Sequence, residues 1–303
     1  TRWQVTVDPA RVVVTPGASG ALLLALGLLA GPGDEVLMAD PGYPCNRHFA
    51  RFCDARAVSV AVDAGSGFQL TLESIERHAT PATRAVLIAS PSNPTGTSIS
   101  SGELARIHDW CAAKGVALIV DEIYLALTYD GNEHSAARWD DVFVVNSFSK
   151  YFQMTGWRLG WLAAPAWALP YLERLAQNLF LAAPTPAQYA ALAAFSPATL
   201  DGLEARKAEL RDRRDFLLPA LRQRGFAIPI QPHGAFYLYA DCSAHTDDSF
   251  HFAQALLEQA GVAVTPGLDF GQHQPQRYLR IAYTQTLPRL VEAIARIDDF
   301  LAG

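Results

Sequence analysis

Residues 144–161 read VVNSFSKYFQMTGWRLGW, and the interpretation of the whole chain begins with them. An apolar run over residues 142–145 ends abruptly in a polar turn. That turn carries Ser147, Ser149 and Lys150, and Arg158 follows eight residues after the lysine. The pattern predicts a buried strand that delivers a lysine to its end. Such a lysine suits an imine with an aldehyde, and the serine and arginine suit an anionic group on the same molecule.

Pyridoxal phosphate carries both an aldehyde and a phosphate, so the stretch favours this cofactor. A Ser-x-x-Lys pattern alone also recurs by chance, most often as a strand followed by a solvated loop with a surface lysine. The rest of the chain decides between the two interpretations.

The composition excludes several classes of protein. With 303 residues, half of them hydrophobic, the chain can form one large α/β unit or two domains. The net charge of −6 and the lack of a long basic run argue against binding to nucleic acid or to a membrane surface. The longest apolar stretch, residues 21–30, is too short to span a bilayer. The four cysteines show no zinc-binding spacing, so we expect no metal site and a reduced, cytoplasmic setting.

Three apolar runs, residues 85–89, 116–120 and 142–145, predict strands that are buried on both faces. Helical segments such as residues 101–114 alternate with them, which indicates a parallel, doubly wound sheet. Ligands bind such a sheet beyond the carboxyl ends of its strands. The first run is followed by Asn93 and the second by Asp121. Each of these residues also has an ordinary use, in a turn or as a helix cap.

Two earlier loops add candidate ligand groups. Small residues over 15–22 precede an apolar helix that we expect to begin near Ser19, and a helix start can bind a phosphate. Ser19 could equally cap its own helix. Tyr43 lies at the tip of a proline-flanked turn, where its ring could stack on a planar ligand or simply pack on the surface.

The character of the chain changes near residue 205. We predict an antiparallel strand pair over residues 226–230 and 235–240, then a helix over 250–260. The remaining predicted elements are strands over 262–264 and 278–283 and a helix over 287–301. We therefore predict a large α/β domain over residues 1–205, with a mostly parallel sheet between helices, and a smaller α+β domain over residues 206–303.

Together these motifs resemble the class I/II aminotransferases of pyridoxal-phosphate fold type I, the aspartate aminotransferase-like family. The motifs that carry the resemblance are GASGAL (17–22), PGYP (41–44), SNPTG (92–96), DEIY (121–124), SFSK (147–150), MTGWRLG (154–160), GAFY (234–237), VTPG (264–267) and LRIA (279–282). They occur in order along nearly the whole chain.

The resemblance implies a role for each matching residue. Lys150 would form the Schiff base with pyridoxal 5′-phosphate and then carry the proton between the substrate α-carbon and the cofactor. Asp121 would pair with the pyridine nitrogen, Tyr124 and Asn93 would bond the ring hydroxyl, and Tyr43 would stack on the ring. The phosphate would be bound by Ala18, Ser19, Ser147 and Arg158. Arg280, with Asn93, would bind the substrate α-carboxylate.

The implied activity is transfer of an amino group from an L-amino acid to a 2-oxo acid, by a homodimer. Two alternatives stay open on the sequence: a carbon–sulfur β-lyase with the same cofactor, and a non-catalytic domain of a transcription regulator that senses pyridoxal phosphate. Family members usually carry several dozen further residues before the piece that matches residues 12–21. We therefore expect a chain shortened at its N-terminus.

Overall fold

The computed structural model describes Trp3, residues 5–131 and residues 134–303. Within these residues a seven-stranded sheet has the order β1-β7-β6-β5-β4-β2-β3. Its strands are β1 (Val12–Thr15), β2 (Glu35–Asp40), β3 (Arg56–Ala61), β4 (Thr83–Ala89), β5 (Ala117–Asp121), β6 (Phe143–Ser147) and β7 (Gly160–Ala163). The strands from β2 to β6 pair in parallel, and β7 pairs antiparallel with both β1 and β6. The three apolar runs are therefore parallel strands of one sheet, as the sequence predicts, and the structure places them side by side.

Helices cover both faces of this sheet because successive strand residues point to opposite sides. Leu87 and Ile119 pack in one core cluster with helices on their side, whereas Ile88 and Val120 pack in the other. The helices in the described part of the chain are α1 (Gly17–Leu29), α2 (Pro44–Phe52), α3 (Leu72–His78), α4 (Ser101–Lys114), α5 (Leu169–Leu179), α6 (Thr185–Ala193), α7 (Pro197–Gln223), α8 (Ser249–Ala260) and α9 (Leu287–Ala302), of which α7, α8 and α9 contribute to the core of a second sheet. Burial on both faces explains why these strands are continuous apolar runs.

A second, antiparallel sheet has the order β8-β10-β9 in the described part of the chain. Its strands are β8 (Tyr237–Asp241), β9 (Thr265–Pro266) and β10 (Tyr278–Ala282). Residues of β8 and β10 form a core with apolar side chains of α7, α8 and α9. The predicted fold class is confirmed: a large, mostly parallel sheet between helices, with a smaller α+β unit. The boundary at residues 205 and 206 stays a prediction, and it falls inside α7.

Two predicted strands are wrong. Residues 226–230 form only an isolated bridge between Ala227 and Asp241. Pro229 lies in that segment, and proline cannot donate to a strand ladder. Residues 262–264 are not a strand either, since pairing with β10 begins at Thr265. Helix α1 begins at Gly17, two residues before the predicted start.

In the described part of the chain, we find no helix with the length and apolar character needed to cross a membrane.

Candidate active site

The carboxyl ends of β4, β5 and β6 open onto a cavity of about 220 Å³. The ten residues predicted for the site all line it: Ala18, Ser19, Tyr43, Asn93, Asp121, Tyr124, Ser147, Lys150, Arg158 and Arg280. Nine of them come from the large sheet and the loops after its strands or from the start of α1, and Arg280 comes from β10. The cavity lies where strands that run in one direction end together, which is the general position of ligand sites in such sheets.

Asp121 is the last residue of β5 and is only 5% exposed. Its carboxylate accepts a hydrogen bond from the backbone N–H of Ile123 at 3.0 Å. Burial raises the pKa of this carboxyl to about 6, against the lowering effects of that N–H and of the positive charge of Lys150. A cationic partner in the cavity would therefore stabilise the ionised form of Asp121.

Lys150 follows β6 and is half-buried. Its Nζ atom lies 5.7 Å from the ring centroid of Tyr124 and 5.7 Å from that of Phe236. Burial lowers the pKa of the Lys150 amine, and the positive charges of Arg280 and Arg158 lower it further, while Asp121 acts in the opposite direction. A lower pKa leaves more of the amine neutral near pH 7, and the neutral amine is the nucleophilic form.

The first turn of α1 lies beside Arg158, and both line the cavity. Gly17 begins the helix with a φ of +77°, and a Cβ atom at this position would lie 2.6 Å from Nη2 of Arg158. The first backbone N–H groups of a helix have no partner within the helix, and with Arg158 they form a candidate anion-binding site. Ala18 and Ser19 contribute those N–H groups.

Two serine hydroxyls extend this candidate anion-binding site. The hydroxyl of Ser147 donates to Oγ of Ser149 at 2.9 Å, and Nη1 of Arg158 donates to the same oxygen at 3.3 Å. Both serines are buried. The sequence alone predicts no role for Ser149, because an inward-facing serine is common. The alternating spacing of Ser147 and Ser149 is the pattern that indicates that both can face one ligand.

Gly160 allows β7 to approach the start of α1. A Cβ atom there would lie 2.6 Å from the carbonyl carbon of Gly17 and 2.8 Å from the amide nitrogen of Ala18. Both of these are backbone atoms and cannot rotate away. The position of the helix start relative to the sheet therefore requires glycine at residue 160.

Tyr43 and Tyr124 provide aromatic walls. Tyr43 follows β2 immediately before α2, and burial raises the pKa of its phenol. Tyr124 follows β5, and burial raises its pKa well above the usual range, so it stays a neutral hydrogen-bond donor. The hydroxyl oxygen of Tyr124 lies 3.1 Å from that of Tyr237. Tyr237 belongs to the GAFY motif, for which the sequence predicts no role in the site.

Arg280 enters the cavity from β10 of the small sheet. Its Nη1 donates to Oδ1 of Asn93 at 2.9 Å, and its Nη2 lies 3.3 Å from Oγ1 of Thr265. Its Nε is buried and has no hydrogen-bond partner among the described residues. A planar guanidinium with an unpaired N–H suits a carboxylate, which can accept two parallel hydrogen bonds.

Comparisons with known proteins agree with this geometry. The family model described as aminotransferase class I and II matches residues 2–297. The valine–pyruvate aminotransferase of Mycobacterium tuberculosis is 39% identical, over 99% of this chain and 78% of that protein. An arginine–pyruvate transaminase of Pseudomonas aeruginosa is 35% identical, over 96% of this chain and 75% of that protein.

A solved structure supports the same relationship. The crystal structure of an aminotransferase from Mycobacterium tuberculosis superimposes with a TM-score of 0.94 at 40% identity. The match covers 98% of this chain and 78% of that one. The likeness therefore extends over both sheets and the cavity between them.

Proposed function

The chain belongs to the class I and II aminotransferase family, and from this premise we propose that its cavity binds pyridoxal 5′-phosphate and transfers an amino group from an L-amino acid to a 2-oxo acid. The family depends on this cofactor. The observation that carries the proposal is the position of Lys150. This amine of lowered pKa lines the same cavity as the buried carboxylate of Asp121 and the candidate anion-binding site at Arg158.

The residues of the cavity fit this cofactor. Asp121 is buried with one backbone N–H as its hydrogen-bond donor, so a protonated ring nitrogen would supply the missing positive partner. The start of α1, Ser147, Ser149 and Arg158 would hold the phosphate, and the approach of Arg158 to Gly17 leaves no room for a Cβ atom there. When bound, the cofactor supplies an aldehyde and an electron-accepting ring.

The protein side of the mechanism then follows from the other groups. Nζ of Lys150, as a neutral amine, would hold the cofactor through its aldehyde, with release of water. Once displaced by the amino acid, it would accept the proton from the substrate α-carbon and donate it to the cofactor, and in the second half of the reaction it would carry a proton in the reverse direction. Ionised Asp121 would hold a proton on the ring nitrogen. Tyr124 and Asn93 would orient the ring through its oxygen, and Tyr43 would cover the ring and exclude water.

Arg280 and Asn93 orient the substrate. The unpaired Nε of Arg280 and its Nη groups would hold the α-carboxylate, and Asn93 lies beside them through its bond to Nη1. A carboxylate held at this end turns the α-carbon toward Lys150. This arrangement supports an amino acid as the donor and a 2-oxo acid as the acceptor, since both carry the carboxylate next to the reacting carbon.

We propose pyruvate as the first acceptor to test and valine as the first donor. The support is similarity: the relatives described above are named for valine with pyruvate and for arginine with pyruvate. We also propose a homodimer, as is usual in the family. Three exposed apolar side chains on and after α6 that line one cavity support it, because contiguous exposed apolar surface is typical of interfaces: Tyr189, Leu192 and Phe195. Four free cysteines support a reduced, cytoplasmic setting.

An absorbance spectrum of the purified protein with added pyridoxal 5′-phosphate tests the function. We expect a visible band that disappears when the donor amino acid is added and returns with a 2-oxo acid. A band that ignores every amino acid would contradict amino transfer. Absence of any band would contradict the role proposed for Lys150.

A further inference from the structure

Tyr237 lies in the cavity wall where the two sheets meet. It is the first residue of β8 and is 6% exposed. In the antiparallel pairing with β10 it lies opposite Ala282, so Arg280, two residues earlier on β10, is its diagonal neighbour on the same face. One side chain therefore contacts both Tyr124, which follows a strand of the large sheet, and Arg280 of the small sheet.

The hydroxyl of Tyr237 lies 3.1 Å from the hydroxyl of Tyr124, and the two rings meet edge to face. One proton lies between the two oxygens, and either residue can provide it. If Tyr124 donates its proton to an anionic oxygen in the cavity, its own oxygen is free to accept from Tyr237. Hydrogen bonds in such a chain strengthen one another, so Tyr237 would make Tyr124 a better donor.

The ring of Tyr237 contacts Arg280. The guanidinium carbon of Arg280 lies 4.3 Å from the ring centroid of Tyr237 and 4.7 Å from that of Phe270. The cation thus contacts two aromatic rings, and its Nε has no hydrogen-bond partner among the described residues. Contact between a cation and an aromatic face is favourable, and it fixes the plane of the guanidinium.

We propose that Tyr237 is a positioning residue that acts in two separable ways: its hydroxyl orients Tyr124 as a donor, and its ring holds Arg280 in the plane that receives a carboxylate. The inference rests on the proposed function, since Tyr124 must face the cofactor and Arg280 the substrate. Lys150 lies over the ring of Tyr124, and the charge of Asp121 acts on the same residue, so both of these groups also face Tyr124.

The hydroxyl is tested by a pH titration of the visible absorbance of the cofactor-loaded protein. A donor to the ring oxygen stabilises the deprotonated chromophore, so its loss moves the midpoint to higher pH. We expect Tyr237→Phe to raise the proton affinity roughly fivefold, the size of one net hydrogen bond. In a Tyr124→Phe background the same change should have no further effect, because the Tyr124 hydroxyl through which Tyr237 acts is absent.

The ring is tested with 3-methylbutanoate, a carboxylate without an amino group, whose binding to the loaded protein is followed by the change in absorbance. Tyr237→Leu should weaken this binding by roughly 2- to 30-fold, the range of a cation–ring contact, and raise KM more than it lowers kcat. Tyr237→Phe keeps the ring and should restore the affinity. Phe270→Leu removes the opposite ring and provides a second variant if Tyr237→Leu fails to fold.

Tyr239→Phe is the matched control, because Tyr239 is a buried tyrosine of the same strand outside the cavity lining. It should change neither the midpoint nor the affinity. The proposal is overturned if Tyr124→Phe moves the midpoint while Tyr237→Phe does not, or if the ring variants bind 3-methylbutanoate like the parent protein. Retained transamination in Lys150→Ala would overturn the proposed function instead.

Discussion

Lys150 has its pKa set by four surrounding influences: burial, Arg280 and Arg158, which lower it, and Asp121, which raises it. The lysine thus feels the charges of two arginines, Arg280, which we propose binds the substrate, and Arg158, which we propose binds the phosphate. Its charge is unfavourable there, and neutral amine is the form that attacks a carbonyl.

Replacing Lys150 by Ala should lower the rate of amino transfer by at least about 10²- to 10⁴-fold, because proton transfer at the α-carbon loses its base. The visible band with the cofactor should also be lost. Steady-state kinetics and absorbance measure both effects. Lys114→Ala, at the exposed end of α4, is the control and should leave them unchanged. Equal activity in the two variants would refute the assignment.

The raised pKa of Asp121 predicts that ionisation of this carboxyl lowers the free energy of unfolding of the cofactor-free protein. Because the folded-state pKa exceeds the ordinary value of 3.8, the protonated carboxyl is stable at low pH, and stability is lost as the pH rises through about 6. The difference corresponds to about 3 kcal/mol above that pH. Asp121→Asn should therefore increase the free energy of unfolding at pH 8 relative to the parent, with little gain at pH 4.

Urea unfolding of the cofactor-free protein at the two pH values measures this. Glu122, whose pKa burial raises to about 7, titrates in both proteins. The negative charge of Asp121 contributes to that rise, so its removal also stabilises ionised Glu122 and adds to the gain at pH 8. The exposed Asp201→Asn serves as control. The same gain at both pH values would show that ionisation of Asp121 is not the cause. Amino transfer should fall in Asp121→Asn at every pH.

At the scale of elements, the start of α1 is held against β7 at Gly160. Gly160→Ala should force backbone atoms apart and destabilise the protein by about 1–3 kcal/mol, the usual range for overpacking. It should also weaken cofactor binding, since the helix start moves away from Arg158. Thermal unfolding and a cofactor titration measure the two effects.

Gly202→Ala is the matched change for this prediction. Gly202 lies within α7 with open space around its Cα, so alanine there should stabilise the helix by roughly 0.5–1 kcal/mol. If both variants change stability in the same direction, contact at Gly160 does not set the position of α1.

The strands and the groups at their ends could be predicted because they depend on local patterns. Continuous apolar runs indicate buried parallel strands, and polar residues after them meet at one edge. The contact of Tyr124 with Tyr237 could not be predicted, since it joins residues 113 apart and depends on how β8 packs against the large sheet. The strand predicted over 226–230 is wrong because the prediction followed the apolar residues of the segment. It gave too little weight to Pro229, which cannot donate to a strand ladder.

At the scale of the whole molecule, Asp40 links the two sheets. Its carboxylate accepts from the backbone N–H groups of Gln272 and His273, at 2.9 Å and 3.2 Å. The N–H of Gly42 donates to the carbonyl of Phe270 at 3.0 Å. The loop after β2 therefore fixes the segment that presents Phe270 to Arg280.

Asp40→Ala should leave two N–H groups without their acceptor and destabilise the protein by about 1–3 kcal/mol. KM for the amino acid should rise more than kcat falls, because Arg280 loses the support of Phe270. Urea unfolding and steady-state kinetics test this. Asp8→Ala removes a carboxylate that accepts from Ala10 at an exposed site and should cost less. An unchanged KM in Asp40→Ala would show that the contact of Asp40 with residues 272 and 273 does not affect substrate binding.

The division of the cavity between two sheets has an evolutionary consequence. The groups assigned to the cofactor come from the large sheet and α1, whereas Arg280 and its aromatic neighbours come from the later part of the chain. Changes in that later part can alter which amino acid is accepted while the inherited cofactor chemistry persists. Related proteins built this way can diverge in their substrates while they keep the same cofactor site.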